Sequence, residues 1–329
     1  MCVIGCNGGV TSGPPSPPGP GPSDAGPDGH TPAPTGRWES GPDMPGPGRF
    51  YTGVAALGER VFVVGGFGAA QATVVTAYDT KAGTWETLAP LPIGIQLPNV
   101  AAVGGTLYVL GGLEQKSSLA YDAAKNQWDP RSPAPVMRGR GQAAVGVWGT
   151  KILLAGGVVP GKSANDLNTG MRQHEVLAYD TTSDTWEALP DLALTRGYAM
   201  GAVIGDRFWV MGGSTDFART DDVAVLDLKT RQWMDQPPLP ITLSSAGVAV
   251  VGNRIYLVGG VATGTGTIGP ATFALDPDFG IYDQVALMIT PRWGMGAVAV
   301  GGRIYVPSGI AADPVAMFKA VNTMEVFIP

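Results

Sequence analysis

The chain has 329 residues, and 44% of them are hydrophobic, which is enough to build a sizeable core. The 27 Asp and Glu residues outnumber the 21 Lys and Arg residues, and no basic cluster is interleaved with aromatic residues, which argues against nucleic acid as a partner. The longest uncharged stretch, 255–275, is rich in Gly and Thr and contains Pro270, so we expect no transmembrane span.

Both cysteines of the chain, Cys2 and Cys6, lie in its first six residues. The stretch "VIGC", which ends at Cys6, resembles the end of a bacterial lipoprotein signal, and Cys6 is then the residue that would be lipidated. A basic and apolar segment should precede such a signal, and here only Met1 and Cys2 do. Residues 1–6 are therefore interpreted either as the remnant of a lipoprotein signal or as an arbitrary N-terminus.

Residues 7–36 contain nine prolines and eight glycines together with Ser, Asp and Thr. This composition cannot bury apolar surface, so it predicts an extended or disordered tether. A tether behind a lipidated Cys6 suits a protein held at the cell envelope. A cytoplasmic protein with a disordered N-terminus is the alternative.

From residue 37 onward the sequence repeats a short unit, as in "GERVFVVGG" at 58–66. A glycine pair, degenerate in its last copy, recurs at intervals of about 45 to 56 residues, a period typical of propellers. The pairs are 65–66, 111–112, 156–157, 212–213 and 259–260, followed by Ser308-Gly309. Seven residues before each pair stands another glycine between two apolar runs: Gly58, Gly104, Gly149, Gly205, Gly252 and Gly301. Because glycine readily takes a positive φ, these glycines predict six tight hairpins of type II′.

The two strands of each predicted hairpin differ in bulk. The first is built of small residues, as in 54–57 (VAAL), whereas the second is larger, as in 208–211 (FWVM). Small residues suit the place where strands converge, so we predict that the first strand of each unit lies nearest a central axis.

A second constant spacing completes each unit. Tyr78 and Trp85 stand seven residues apart, and the same interval recurs in the four units that follow. The turn between these positions needs one residue in the left-handed conformation, which Gly and Asn adopt readily. In the fourth unit this place is taken by Arg231, which fits it poorly.

The combination "YDTKAGTWETLAPLP" with "GERVFVVGG" resembles the kelch repeat over residues 37–329. The resemblance implies an all-β fold, a kelch-type β-propeller of four-stranded blades around a channel. The last unit lacks a fourth strand, and "GRWESGPDMP" at the N-terminal end supplies one, with Trp38 in the place of Trp85. We therefore predict a six-bladed ring closed by an N-terminal strand.

Binding residues are expected on the face that carries the long loops after the glycine pairs, since the other face has only tight turns. Sixteen residues before the first residue of each pair the sequence places an arginine in four units: Arg49, Arg140, Arg196 and Arg292. The other two units have Ile95 and Leu243 there. Two residues after these six positions stand Tyr51, Leu97, Gln142, Tyr198, Ser245 and Gly294. The predicted ligand-binding residues are Tyr51, Arg140, Gln142, Arg196 and Tyr198. Arginines that brace loop carbonyls of the scaffold are the alternative.

Catalytic residue patterns are scarce. The chain has two histidines, His30 in the tether and His174, and no phosphate loop or zinc-ligand spacing. Exposed loop carboxylates such as Asp166, Asp216 and Asp221 are more often solvated than catalytic. We expect no metal or other cofactor.

These observations favour a noncatalytic binding module that recognises a protein or a glycan with its loop face. The alternative is a sugar-modifying enzyme, because some bacterial kelch-like propellers are sialic acid epimerases. Two ionisable groups within hydrogen-bond distance at the channel mouth would favour the enzyme. A mixed or apolar rim would favour the binding module.

Overall fold

The computed structural model describes residues 29–329 except 69–71, 114, 137–138, 160–169, 263–268, 270 and 314. The chain divides into a unit of residues Met1–Pro32 and a unit of residues Ala33–Pro329. Cys6, the predicted signal remnant at 1–6 and most of the predicted tether at 7–36 lie outside the described residues. In the described part of the chain, no helix is both long and apolar enough to cross a membrane.

The second unit is built from six four-stranded antiparallel sheets, which we call blades 1 to 6. In order from inner to outer strand, blade 1 contains Gly53–Leu57, Arg60–Val64, Val75–Asp79 and Thr84–Thr87, blade 2 contains Val100–Val103, Thr106–Leu110, Ser118–Asp122 and Gln127–Arg131, and blade 3 contains Ala144–Trp148, Lys151–Ala155, Val176–Asp180 and Thr185–Leu189. Blade 4 contains Met200–Ile204, Arg207–Met211, Val223–Asp227 and Gln232–Asp235, blade 5 contains Gly247–Val251, Arg254–Val258, Thr272–Asp276 and Ile281–Val285, and blade 6 contains Val298–Val300, Arg303–Pro307, Met324–Ile328 and Arg37–Ser40.

The blades form a closed ring. Each inner strand contacts the inner strand of the next blade, and the inner strand of blade 6 contacts that of blade 1. A central channel of about 400 Å³ is lined by residues of all six inner strands. The predicted six-bladed β-propeller is therefore confirmed.

Small residues on the inner strands allow this convergence. A Cβ atom at Gly201 in blade 4 would lie 2.5 Å from the backbone nitrogen and oxygen of Val145 in blade 3, so only glycine fits there. Bulky second-strand residues such as Phe208 and Trp209 are buried between blades. The predicted inward position of the small first strands is confirmed.

The six hairpins occur where the glycines predict them, but two have a different turn type. Gly104 and Gly105 both have a positive φ, as do Gly301 and Gly302, so these two turns have the φ values of type I′ rather than type II′. In the other four hairpins only the first turn residue is positive. The type II′ prediction was wrong for these two turns because a second glycine makes the type I′ conformation equally accessible.

The outer strands carry the contacts that join one blade to the next. In each blade the indole Nε1 of the outer-strand tryptophan, or the hydroxyl of Tyr282 in blade 5, donates a hydrogen bond to a carbonyl in the segment that leaves the outer strand of the preceding blade. The pairs are Trp38 to Ala286, Trp85 to Pro42, Trp128 to Ala89, Trp186 to Ser132, Trp233 to Pro190 and Tyr282 to Pro237, at 2.9–3.3 Å. The spacing that recurs from blade to blade therefore identifies the residue that donates a hydrogen bond to the neighbouring blade.

The turn before each of these aromatic residues keeps its left-handed residue. Arg231 has a φ of 60°, close to the 51° of Asn126 in blade 2 and the 55° of Asp184 in blade 3. In those two blades the turn side chain adds further bonds. Asp184 accepts from the hydroxyl of Tyr179 at 2.6 Å and from the backbone nitrogen of Ser132 at 2.9 Å. The Tyr179 hydrogen bond is the main cause that lowers the pKa of Asp184.

The N-terminal strand completes blade 6 as predicted. Arg37–Ser40 pairs antiparallel with Met324–Ile328, and Trp38 stands opposite Phe327 with ring centroids 5.2 Å apart. Phe327 thus takes the place of the tyrosine in the Tyr78 and Trp85 pair, whose rings lie 5.2 Å apart.

Short strands extend the face opposite the hairpin turns. Val158–Val159 pairs with Met171–Arg172, and Leu243–Ser244 pairs with Val261–Ala262. A three-stranded sheet is formed by Arg292–Trp293, Ile310–Asp313 and Met317–Ala320. Leu243–Ser244 and Arg292–Trp293 lie in the connections between blades, and the other short strands belong to the predicted long loops. We call the surface that these strands form the loop face.

Ring closure by the strand Arg37–Ser40 leads to the first prediction. A chain that lacks residues 1–32 should melt at nearly the wild-type temperature, because it keeps all four strands of blade 6. A chain that lacks residues 1–42 loses that strand and the Trp38 hydrogen bond, so its Tm should fall by about 10 °C or more. Differential scanning calorimetry of both truncated chains measures the two Tm values. Equal Tm values would show that the strand does not contribute to closure.

Candidate functional site

The four repeat arginines are buried inside the blades. In each case Nη1 donates to the carbonyl of the residue just before the third strand of the same blade. The pairs are Arg49 to Val74, Arg140 to Glu175, Arg196 to Asp222 and Arg292 to Thr323, at 2.8–3.1 Å. In blades 1, 4 and 6 the same nitrogen also bonds a carbonyl at the end of the second strand, on Gly65, Val210 and Ser308. The guanidinium thus holds the loop after the glycine pair against its own blade.

Three of these arginines also form ion pairs, Arg140 with Glu175, Arg196 with Asp222 and Arg292 with Glu325. Burial lowers the pKa of Arg196 to about 10, which leaves the side chain charged at neutral pH. This geometry favours the bracing role for Arg140 and Arg196. Their predicted role in ligand binding stays a prediction, and the site described below does not depend on it.

The position two residues after each arginine, or after Ile95 in blade 2 and Leu243 in blade 5, forms a ring of left-handed residues around the channel mouth. Tyr51, Leu97, Gln142, Tyr198, Ser245 and Gly294 have φ values of 47–62°. Five of the backbone N–H groups donate to the equivalent carbonyl in the preceding blade, at 2.6–3.3 Å. For five non-glycine residues this conformation is costly, and the surrounding hydrogen bonds offset that cost. The ring fixes the direction of the side chains that surround the mouth.

Three of those side chains close the channel on the loop face. Tyr51, Leu97 and Tyr198 are buried, and they form one cluster with Leu113 and Val158. The rings of Tyr51 and Tyr198 lie 5.5 Å apart. The structure therefore brings together the two predicted tyrosines, while Gln142 lines the channel below them.

Above this layer lies a concave site of about 600 Å³, which we call the loop-face pocket. Its aromatic lining consists of Phe50, Tyr51, Tyr198, Phe217, Trp293 and Phe318. Its polar lining consists of Arg172, Ser214, Thr215, Asp216, Arg219, Ser244 and Ser245. An aromatic pocket with a few convergent polar groups is the usual form of a ligand site.

Two arginines of this pocket were missed in the sequence analysis. Arg172 donates from Nε to Ser214 Oγ at 3.3 Å, and its guanidinium carbon lies 5.8 Å from the ring centroid of Tyr198. Arg219 donates from Nε to Ser244 Oγ at 3.1 Å. Both lie in the long loops that were predicted to carry function, but outside the repeated positions, so spacing could not identify them.

The charge of the pocket is positive. Among the described residues, neither Arg172 nor Arg219 forms an ion pair. The carboxylate of Asp216 accepts from the backbone nitrogen of Arg172 at 3.0 Å and from Thr195 Oγ1 at 3.4 Å. Burial raises the pKa of the Tyr51 hydroxyl, and both guanidinium groups oppose that rise, so they act on the same point of the pocket.

Comparison with known proteins agrees with this architecture. The model of the KLHDC2/KLHL20/DRC7 Kelch-repeats domain matches residues 98–309, and that of the Kelch motif matches residues 48–92. The chain belongs to the kelch-repeat family.

Several curated relatives share the kelch repeats. Kelch-like protein terF of Aspergillus terreus is 29% identical over an alignment that covers 92% of this chain and 71% of that protein. Kelch-like protein 35 of Mus musculus is 33% identical over 151 residues, which cover 44% of this chain and 24% of that protein. Beta-scruin of Limulus polyphemus is 27% identical over 149 residues, which cover 40% of this chain and 16% of that protein. The alignments thus span most of the fungal relative but about a quarter or less of the two animal relatives.

Large apolar side chains are exposed around the loop-face pocket of this kelch domain. Phe217 and Val315 are almost fully exposed, at 98% and 93%. Met171, Met317 and Phe318 are also exposed. Phe217 is presented by a tight turn, in which the backbone nitrogens of Phe217 and Ala218 donate to Thr215 Oγ1. Phe217 and Phe318 line the pocket, Met171 precedes the lining residue Arg172, and Val315 and Met317 precede Phe318 in the chain. Exposed apolar side chains grouped in this way are typical of an interaction surface.

In the part of the chain that the structure describes, the acid and base candidates do not converge on the loop-face pocket. His174 lies 3.5 Å from Asp191, and both are half exposed on the surface. Asp216 lies at the pocket, whereas Asp166 lies outside the described residues. Among the described lining residues, no two ionisable side chains lie within hydrogen-bond distance of each other. His, Cys, Asp and Glu form no group that could hold a metal ion in the part of the chain that the structure describes.

The second prediction separates bracing arginines from pocket arginines. Arg196→Met should reduce the free energy of unfolding by about 3 kcal/mol or more, because it leaves buried carbonyls of Val210 and Asp222 without a donor. Arg219→Met should reduce it by less than about 1 kcal/mol, because this side chain is partly exposed and bonds one serine. Urea denaturation of both variants measures the difference. Similar losses would mean that Arg219 also supports the scaffold.

Proposed function

We propose that this kelch domain is a noncatalytic protein-interaction module that binds its partner through the loop face. Kelch-repeat relatives support an interaction module of this type. The observation that carries the choice of face is a set of exposed apolar side chains in the loops that line a concave pocket: Met171, Phe217, Val315, Met317 and Phe318. Aromatic residues, Met and Arg are the residues enriched in protein interfaces, and these loops combine them.

The geometry supports binding better than sugar modification. An enzyme of the epimerase type needs an acid and a base directed at one substrate carbon. In the described lining of the loop-face pocket the arginines bond serines, and Asp216 bonds a backbone nitrogen and a threonine hydroxyl. Because no acid and base converge there, the binding module remains the better proposal.

A protein partner is favoured over a glycan. Val315 and Met317 offer aliphatic surface with no hydrogen-bonding group, and burying such surface contributes about 25 cal/mol per Å². A sugar ring carries hydroxyls that would lose water against these side chains without gaining a partner. A glycan array run beside the protein assay keeps the second ligand class open to test.

The third prediction tests the face. Phe217→Asp combined with Val315→Asp should weaken partner binding by at least about tenfold, because each substitution places a charge where an apolar side chain would contact the partner. Phe279→Asp makes the same chemical change in a turn on the opposite face and should leave binding unchanged. The assay captures proteins with each immobilised variant and then measures the affinity of every protein that wild type retains. If Phe279→Asp has the larger effect, the loop face is not the interaction surface.

We also propose a location at the cell envelope, through a lipid on Cys6. The support comes from "VIGC" at 3–6 and from the Pro- and Gly-rich segment behind it, which would hold the domain off a membrane. The fourth prediction is that Cys6→Ala moves the expressed protein from the membrane fraction to the soluble fraction, whereas Cys2→Ala does not. Mass spectrometry of the N-terminal peptide checks the modification directly. An unmodified Cys6 and unchanged fractionation would reject the anchor.

A further inference from the structure

The loop-face pocket combines positive charge with aromatic walls in a chain whose formal net charge is −6. Its described lining contains two cations, Arg172 and Arg219, and one carboxylate, Asp216. That carboxylate already accepts two hydrogen bonds from outside the guanidinium groups. Two positive charges and one negative charge give this lining a formal net charge of +1, which one added negative charge neutralises and a dianion would reverse.

The two guanidinium groups are held in place but not saturated. Serine hydroxyls accept the Nε protons of both, at 3.3 Å from Ser214 and 3.1 Å from Ser244. Arg172 also donates from Nη1 to the carbonyl of Gly170. No acceptor among the described residues takes the terminal nitrogens of Arg219. A carboxylate is the group that fills such a donor pair with the best geometry.

The walls of the pocket fit a flat ring. Trp293 stands edge-on to Tyr51, with centroids 5.5 Å apart and planes at 75°. Phe318 stands edge-on to Trp293, with centroids 6.2 Å apart and planes at 90°. A ring placed between perpendicular walls can stack on one and meet the edge of another, which are the two arrangements that aromatic pairs prefer.

We propose that the loop-face pocket binds a carboxylate-bearing aromatic group, with the carboxylate between Arg172 and Arg219 and the ring against Trp293 and Phe318. The pocket volume of about 600 Å³ leaves room for a group of this size. The group comes either from a free aromatic acid or from neighbouring aromatic and acidic side chains of a bound protein. The proposal rests on the proposed function only in placing binding on the same face.

The test measures the affinity of small probe molecules for the full chain by calorimetry and ligand-observed NMR. Phenylacetate should bind at least about tenfold more tightly than phenylacetamide, which lacks the charge, and than acetate, which lacks the ring. It should also bind more tightly than phenyl phosphate, a dianion. Equal binding of phenylacetate and phenylacetamide would overturn the role of the arginines, and tighter binding of phenyl phosphate would overturn the charge argument. Failure of phenylacetate to bind would reject the site.

Matched variants locate the site. Arg219→Gln and Arg172→Gln should each weaken phenylacetate binding by at least about fivefold. Arg303→Gln, which removes the same charge from a hairpin on the opposite face, should leave it unchanged. Melting temperatures within about 2 °C of wild type would show that the variants are folded, and Phe318→Ala, which leaves the charges intact, provides a second route if either arginine variant is not. Unchanged affinity in all three pocket variants would remove binding from this pocket.

Two further measurements distinguish a free aromatic acid from a protein segment as the ligand, and the interaction function from the pocket inference. Micromolar affinity for a free aromatic acid indicates a small-molecule ligand. Micromolar affinity for N-acetyl-Asp-Phe-amide, with millimolar affinity for phenylacetate, indicates a protein segment. If Phe217→Asp abolishes partner capture while phenylacetate neither binds nor competes, the interaction function stands and the pocket inference fails. If phenylacetate binds but no partner depends on the loop face, the reverse holds.

Discussion

One hydrogen bond recurs at every junction between blades, where the aromatic donor of each outer strand bonds a carbonyl in the segment that leaves the preceding blade. Since the acceptor is a backbone carbonyl, the bond requires no particular residue in the neighbouring blade. It requires only that the donor stand at a fixed place, which is why the spacing between Tyr78 and Trp85 recurs while most other positions vary. Trp38 obeys the same rule although it is separated from its acceptor by 248 residues.

Two further sets of hydrogen bonds lie closer to the central channel than the outer strands do. The four buried arginines hold the loops of their own blades, and the left-handed residues join neighbouring blades around the channel mouth. At the mouth the backbone conformation matters more than the side chain, so Tyr51, Gln142 and Gly294 can occupy equivalent places. Ser308 illustrates the same point, since it replaces a glycine and still has a φ of 63°.

The repeat explains how far sequence reasoning could reach. Periodic glycines, small inner strands and the outer aromatic residues determined the blade number and the closing strand, because each reflects a backbone constraint that only certain residues meet. Spacing could not reveal the direction of a side chain. Arg196 and Tyr198 stand two residues apart, yet one turns into the blade and the other caps the channel. The turn type at Gly104 also depended on the residue that follows it.

Much of the candidate site is built from loops that do not follow the repeat. Arg172, Arg219, Phe217 and Phe318 belong to segments between the second and third strands of their blades, and these segments differ in length and composition from blade to blade. The buried tyrosines of the ring line the pocket from below, and the guanidinium carbon of Arg172 lies 5.8 Å from the ring centroid of Tyr198. A substitution in the loops can therefore change the charge or shape of the pocket without disturbing the hydrogen bonds that close the propeller. A substitution at Tyr51 or Tyr198 changes both, because these residues belong to the scaffold and to the pocket at once.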